Sequence, residues 1–177
     1  MYQIRREGCW KSMEIEMKHM SREYAREVID IFNYYIENSF AAYPESKVPY
    51  EFFNKFLELT KGYPAFIASN KENNRVLGFC FLRAYNPFPV FRETAEITYF
   101  VEKKAVNKGI GFAMLVKLEE EAKKIGIQTL LANISSENTP SINFHKKNGF
   151  TECGRFHKVG KKKGTYFDVV WFEKSLQ

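Results

Sequence analysis

The pattern of apolar and polar residues divides the chain into short strands and amphipathic helices. Alternation with a period of two, or a short apolar run between turn residues, predicts strands at 14–18, 64–69, 76–85, 94–101, 128–134, 150–159 and 165–172. Apolar residues three or four positions apart predict helices at 21–38, 50–61, 109–125 and 139–148. This order predicts an α+β fold, in which a mixed but mostly antiparallel central sheet of about seven strands carries helices on both faces.

Turn residues mark the boundaries between these elements. Ser21 is predicted to cap the first helix, and Pro49 suits the first turn of the second. Gly126 is expected to end the third helix, and residues 71–75 are expected to close a hairpin between two strands. Residues 160–164, Gly-Lys-Lys-Lys-Gly, are predicted to form a solvated turn before the last strand.

A glycine-containing turn at residues 106–112, Val-Asn-Lys-Gly-Ile-Gly-Phe, joins an apolar strand to a long amphipathic helix. Gly109 and Gly111 allow the backbone to approach a ligand closely. The first helical turn offers N–H groups that have no partner within the helix, at the positive end of the helix dipole. The turn therefore predicts a site for phosphate.

The composition fits one globular domain. The 177 residues are 45% hydrophobic, which is enough for a sizeable core. Residues 1–12 are polar and charged, and Met13 is an alternative start, so we interpret 1–12 as an N-terminal extension to a single domain at 13–177. The net charge of +6 suits an anionic ligand, but it also suits a merely soluble basic protein.

Cysteine usage and apolar runs bear on location and partners. Cys9, Cys80 and Cys153 are far apart, so they predict neither a disulfide framework nor a metal cluster, and no metal is expected. Reduced thiols favour the cytoplasm. The sequence has no apolar run of about 18 residues and no nucleic-acid-binding motif, so neither a membrane nor a nucleic acid is expected as a partner.

Four stretches follow one another in a characteristic order: Glu-Ile-Thr-Tyr-Phe-Val at 96–101, Asn-Lys-Gly-Ile-Gly at 107–111, Asn-Thr-Pro-Ser-Ile-Asn-Phe-His-Lys-Lys-Asn-Gly-Phe at 138–150, and Val-Gly-Lys-Lys-Lys-Gly-Thr-Tyr-Phe-Asp at 159–168. Together they resemble the GNAT N-acetyltransferase superfamily, and within it the phosphinothricin and methionine sulfoximine acetyltransferases. The resemblance implies the GNAT fold and a homodimer. It also implies acetyl transfer from acetyl-CoA to the amine of a small amino acid or analogue, of the phosphinothricin, methionine sulfoximine or methionine sulfone type.

The resemblance assigns the glycine turn to the pyrophosphate of acetyl-CoA. Val106 stands where the superfamily has Gln or Arg, but backbone donors do not depend on that side chain. The pantetheine arm is expected along residues 99–101, where a backbone N–H also faces the thioester oxygen and stabilises the oxyanion. Asn138 is expected to hydrogen-bond this arm, and a plain helix N-cap is its alternative role. The implied cofactor-binding residues are Tyr99, Phe100, Val101, Asn107, Lys108, Gly109, Ile110, Gly111, Phe112 and Asn138.

Two residues are candidates for the proton transfers. Glu96 matches the glutamate of the family pattern and is expected to take a proton from the acceptor amine, directly or through water. His145 matches the subfamily's histidine, and an ordinary histidine pKa allows proton transfer near neutrality. The alternatives are a solvated carboxylate at a strand end for Glu96 and a purely structural hydrogen bond for His145.

The acceptor is expected to bind near the strand that carries Glu96. Arg92 lies in a Phe-Arg-x-Thr-x-Glu pattern similar to the methionine sulfoximine enzymes and could bind a carboxylate or phosphinate, or form a surface salt bridge. Phe40 and Tyr43 are candidates for the pocket wall. Acetylation of a protein N-terminus or a polyamine, and a non-catalytic acyl-CoA-binding module, stay open as alternative functions.

Overall fold

One mixed sheet organises the protein in the computed structural model, which describes residues 14–177. The strand order is β1-β2-β3-β4-β5-β7-β6, and within the described chain every neighbouring pair is antiparallel except β4 and β5. The predicted extension at 1–12 lies outside the described residues. The strands are β1 (Ile15–His19), β2 (Ala65–Asn70), β3 (Val76–Ala84), β4 (Thr94–Val101), β5 (Thr129–Ser135), β6 (Thr151–Lys162) and β7 (Thr165–Ser175).

Four α-helices accompany the sheet in the described part of the chain: α1 (Ala25–Asn38), α2 (Phe53–Leu59), α3 (Ile110–Lys124) and α4 (Thr139–Lys147). Short 3-10 turns lead into α1 and α2. Asn138 caps α4, because its side chain accepts a hydrogen bond from the N–H of Ser141 at 3.4 Å. No helix in residues 14–177 combines the length and the apolar character needed to cross a bilayer.

Each face of the sheet has its own core. Alternate residues of β4 point to opposite faces, so Ala95 and Ile97 pack with α3 whereas Phe100 packs against the α1 side. The first core is built from the apolar stripe of α3, and the second from the stripes of α1 and α2. The predicted arrangement, with helices on both faces of a mostly antiparallel seven-stranded sheet, is confirmed.

Two local predictions are wrong. Ser21 makes no side-chain cap; its hydroxyl donates to Glu23 at 2.9 Å, and a 3-10 turn precedes α1. The last hairpin turns more tightly than predicted, because β6 continues to Lys162. Lys163 and Gly164, with φ angles of 50° and 80°, make the turn, and two positive φ values match the twist of the strands. Lys162 is buried rather than solvated, with hydrogen bonds to backbone carbonyls.

Candidate active site

The edges of β4 and β5 separate and open a cleft. Their parallel pairing covers only three residue pairs, Thr94 with Thr129, Ala95 with Leu130 and Glu96 with Leu131. Beyond Glu96, β4 stays paired with β3, and β5 stays paired with β7. The two facing edges therefore have backbone groups available to a ligand. A cavity of about 1440 Å³ occupies this opening and is lined by residues of both strands and of α1, α3 and α4.

The glycine turn lies at one end of this cavity. Gly109 has a φ of 77° and Asn107 a φ of 61°, so the chain reverses in the left-handed region just before α3. The N–H of Ala113 bonds to the carbonyl of Gly109 at 3.0 Å, which leaves the N–H groups before it outside the ladder of the helix. All six predicted residues of this turn, Asn107, Lys108, Gly109, Ile110, Gly111 and Phe112, line the cavity.

The two glycines of the turn differ in what they require. Gly109 needs its positive φ. Gly111 lies in the first turn of α3, where an added Cβ would meet the Phe144 ring at 3.5 Å, an ordinary van der Waals contact. Val106, the departure from the superfamily pattern, also lines the cavity. The turn can thus present amides and the positive end of α3 to phosphate without a side-chain donor at position 106.

The predicted pantetheine strand also lines the cavity, at residues 99–101. Both its backbone and its side chains have structural partners. The Val101 carbonyl accepts a hydrogen bond from the Tyr35 hydroxyl at 2.6 Å, and Phe100 packs edge-on against Phe32 with ring centroids 5.4 Å apart. Asn138 lines the same cavity from the start of α4. Its N-cap role is confirmed, and its contact with the coenzyme stays a prediction.

His145 is buried and neutral. Its Nδ1 lies 2.7 Å from the carbonyl oxygen of Ser141, which can only accept, so Nδ1 carries the proton. Nε2 then accepts a hydrogen bond from the Tyr99 hydroxyl at 2.5 Å. Burial lowers the pKa of His145 to about 4, against the Ser141 bond that favours its charged form. Burial therefore disfavours the imidazolium, which argues against proton exchange by this ring near neutrality, and a catalytic role for His145 stays a prediction.

Glu96 is also buried, with only 6% of its surface exposed. Arg83 donates a hydrogen bond to its Oε2, and the side-chain amide of Asn133 donates to the same oxygen at 3.0 Å. Both bonds use Oε2, and within residues 14–177 no hydrogen bond to Oε1 is found, although Glu96 itself does not belong to the cavity lining. Burial raises the pKa of Glu96, while Arg83 and Asn133 act in the opposite direction. Glu96 is thus a fixed carboxylate and not a solvated one.

Three residues that line the cavity surround this carboxylate. Arg83 and Asn133 contact Glu96 directly, and the Tyr43 hydroxyl donates to Oδ1 of Asn133 at 3.1 Å. Burial and the nearby Glu96 raise the pKa of Tyr43 to about 12, so its hydroxyl keeps its proton. Sequence reasoning found Tyr43 but missed Arg83 and Asn133. The one local signal for Arg83, which sequence reasoning did not use, is a charged residue at the end of the apolar run 76–82.

The other two predicted acceptor residues lie elsewhere. Arg92 is exposed, after the 3-10 turn Pro89–Phe91, and does not belong to the cavity lining. Phe40 packs edge-on against Phe167, with ring centroids 5.6 Å apart, and also lies outside the lining. Among residues 14–177, therefore, Arg83 is the arginine that lines the cavity.

Comparisons with known proteins agree with this geometry. Residues 15–171 match the acetyltransferase (GNAT) domain family. An L-methionine sulfoximine/L-methionine sulfone acetyltransferase of Pseudomonas aeruginosa is 34% identical over 116 residues, which are 66% of this chain and 67% of the relative. The phosphinothricin N-acetyltransferase of Streptomyces coelicolor is 25% identical over 171 residues, 92% of this chain and 97% of the relative.

Solved structures show the same fold. A ribosomal-protein-alanine N-acetyltransferase from Brucella melitensis aligns with a TM-score of 0.84 and 30% identity, over 90% of this chain and 99% of its own. The acetyltransferase yncA from Salmonella typhimurium, solved with its cofactor acetyl-CoA, aligns with a TM-score of 0.84 and 25% identity, over 92% of this chain and 94% of its own. The chain therefore belongs to the GNAT acetyltransferase family.

Proposed function

We propose that this enzyme transfers the acetyl group of acetyl-CoA to the α-amine of a small, anionic amino acid or analogue. Methionine sulfoximine, methionine sulfone and phosphinothricin are the candidate acceptors, since similar enzymes carry these names. The observation that carries the proposal is the cleft between β4 and β5, which is lined by a phosphate-type turn and by Arg83 and Asn133, the two residues that hold the buried Glu96 carboxylate.

Acetyl-CoA fits the residues present. Its pyrophosphate suits the amides of residues 107–112, and its narrow pantetheine arm suits the free edge of β4 at residues 99–101. Asn138, at the start of α4, offers a further polar group beside that edge. When bound, the coenzyme supplies an activated acetyl group on a thiol. The pKa of about 8–9 of that thiol makes its thiolate a fair leaving group.

Glu96 takes the amine proton in this proposal. A free α-amino group has a pKa of about 8 and must lose a proton before it can attack. Oε1 of Glu96 is the available oxygen, while the two bonds to Oε2 fix the carboxylate in place. The transfer forms one C–N bond and breaks one C–S bond; the amine proton goes to Glu96 and the bonding pair leaves with sulfur. A positioned base of this kind contributes roughly 10²–10⁴-fold.

Arg83 binds the acid group of the acceptor. Arg83 lines the cavity, and its guanidinium has five N–H donors, of which one at Nη2 bonds to Glu96. A carboxylate or phosphinate would share this positive charge with Glu96, which places the amine next to the base. Binding of the acceptor's acid group by Arg92 stays a prediction, although Arg92 does not line the cavity within the described chain.

His145 has a proposed role on the coenzyme side of the cavity that differs from the proton transfer expected from the sequence. Its neutral ring accepts from Tyr99 and thereby holds a protonated phenol at the pantetheine edge. Burial raises the pKa of Tyr99 well above its ordinary value, so the hydroxyl stays protonated. We therefore assign His145 to the positioning of Tyr99 rather than to proton exchange with solvent.

A protein N-terminus is the second candidate acceptor, since a structural neighbour is a ribosomal-protein-alanine N-acetyltransferase. A polyamine fits less well, because a cation would meet Arg83.

We further propose a cytoplasmic homodimer. The free thiols of Cys80 and Cys153 support a reducing compartment. The edge strand β6 exposes Phe156 and Val159 by 57% and 60%, which supports an interface there, and size-exclusion chromatography tests it.

The test is an acceptor panel with purified protein and acetyl-CoA, in which the released CoA thiol is measured. The panel contains phosphinothricin, methionine sulfoximine, methionine sulfone, spermidine and a peptide with an N-terminal alanine. We expect acceptor-dependent release with at least one amino acid analogue. Release with only spermidine or the peptide, or no release with any acceptor, would overturn the proposal.

A further inference from the structure

The β6–β7 hairpin carries a lysine whose charged end lies inside the protein. The Lys162 side chain is 1% exposed, although it stands next to the turn residue Lys163. Its Nζ donates to the carbonyl oxygens of Ser39 at 2.8 Å and Ala42 at 2.6 Å. An ammonium group is costly to bury unless acceptors replace its water. These two carbonyls are thus required partners of the charge, which ties the hairpin to the segment 39–44.

The segment 39–44 follows α1 directly, since Ser39 is the C-cap of that helix. A cation is favourable there, because the carbonyl end of a helix carries partial negative charge. The other strand of the hairpin holds the same segment through Phe167, whose ring stacks on Tyr43 with centroids 5.9 Å apart. The ring has room because Gly160 opposite it lacks a Cβ; an added Cβ would lie 2.2 Å from Phe167.

The segment reaches the reaction site through Tyr43. The Tyr43 hydroxyl donates to Oδ1 of Asn133 at 3.1 Å, and the amide of Asn133 donates to Oε2 of Glu96 at 3.0 Å. Lys162 itself does not belong to the cavity lining. A line of contacts therefore runs from Lys162 through the segment 39–44 to Glu96.

We propose that Lys162 is a positioning residue for the acceptor: its ammonium fixes the segment 39–44 and so sets Tyr43 and Asn133 against Glu96. The inference rests on the proposed function in placing the acceptor at Glu96. If Lys162 served stability alone, its substitution would lower the melting temperature and would affect the acceptor and acetyl-CoA equally. A positioning residue changes the acceptor KM selectively, because the donor site lies on the glycine turn and the β4 edge.

The experiment compares Lys162→Met and the milder Lys162→Gln with Lys161→Met in the full chain. Lys161 is a matched control, because it is exposed and its Nζ lies over the Tyr166 ring at 5.0 Å. We expect the acceptor KM of both Lys162 variants to rise roughly tenfold or more, the change for a charged hydrogen bond. The acetyl-CoA Kd and the Lys161→Met kinetics should stay unchanged. Lys162→Gln carries the test if the methionine variant does not fold.

An unchanged acceptor KM in Lys162→Gln, or an equal weakening of both substrates, would overturn the role of Lys162. A parent protein that acetylates no acceptor of the panel would instead defeat the proposed function. In that case, the role of Lys162 is tested without an acceptor, by hydrogen exchange of the backbone amides at residues 39–43. Exchange should be faster in Lys162→Gln than in the parent protein, and equal rates would contradict the proposal.

Discussion

Arg83 and Glu96 stand opposite each other in the ladder between β3 and β4, and the guanidinium of Arg83 donates a hydrogen bond to Oε2 of Glu96. Arg83 places a positive charge in the cavity wall and holds the buried Glu96 carboxylate directly beside the lining. The positive charge favours the ionised form of Glu96, which burial disfavours. One residue can thus tune the base and attract the acid group of the acceptor.

Glu96→Gln tests the base. Glutamine keeps the size of the side chain but cannot take a proton, so kcat should fall roughly 100-fold or more. The acetyl-CoA Kd, measured by calorimetry, should not change, because the proposed coenzyme site uses residues 99–101 and 107–112 and not Glu96. An unchanged kcat between pH 6 and 9 would remove Glu96 from its role.

Arg83→Met tests the tuning of that base through the pH dependence of kcat at saturating acceptor. Burial already raises the pKa of Glu96 and Arg83 lowers it, so removal of Arg83 raises the pKa further. Since the base acts in its deprotonated form, the acidic loss of activity should move to higher pH in Arg83→Met. The exposed Arg92→Ala is the matched control and should keep the parent profile. Coincident profiles for all three proteins would contradict the coupling.

The same two variants decide which arginine anchors the acceptor. A charged hydrogen bond contributes about 1.5–3 kcal/mol, so the acceptor KM should rise roughly tenfold or more when the anchor is lost. The cavity lining predicts this change for Arg83→Met. A selective rise in Arg92→Ala would move the anchor to Arg92 and would require a site that the single chain does not complete.

The glycine turn is tested by comparing Gly109→Ala with Gly111→Ala. An alanine at the φ of 77° of Gly109 costs about 1–2 kcal/mol or displaces the turn, so acetyl-CoA should bind about 5- to 30-fold more weakly. An alanine at Gly111 meets the Phe144 ring at an ordinary 3.5 Å and should bind the coenzyme almost normally. Calorimetric Kd values measure both. Equal affinities for the two variants would contradict the role of the Gly109 conformation.

The burial of His145 predicts a pH-dependent stability. Its folded pKa of about 4 lies below the ordinary value of 6.5, so the native state binds fewer protons than the unfolded state between these values. The free energy of unfolding should therefore fall as the pH falls from 6.5 towards 4, by about 2 kcal/mol at pH 5. His145→Gln removes this contribution and should flatten the curve. Urea unfolding at pH 7.5 and pH 5 measures the free energy of unfolding of both proteins. An equal loss of stability in the parent protein and in His145→Gln would contradict the prediction.

Sequence patterns predicted well the features that depend on residues close together in the chain, such as strand bounds and turns. The bounds of β4 at Thr94–Val101 agree with the prediction, as does the turn that leads into α3. The contacts around the base were not predictable, because they join positions far apart in the chain. Arg83 and Asn133 meet Glu96 only through strand register, and Lys162 meets Ala42 across 120 positions. The low pKa of His145 likewise depends on burial that no local pattern indicates.

A crystal structure of the protein with coenzyme A and the N-acetylated form of its best acceptor tests the central claim most directly. We predict pyrophosphate at the amides of residues 107–112, the pantetheine arm between β4 and β5, and the product amide within hydrogen-bond reach of Glu96. A coenzyme bound anywhere else, or a product whose amide lies away from Glu96, would contradict the account.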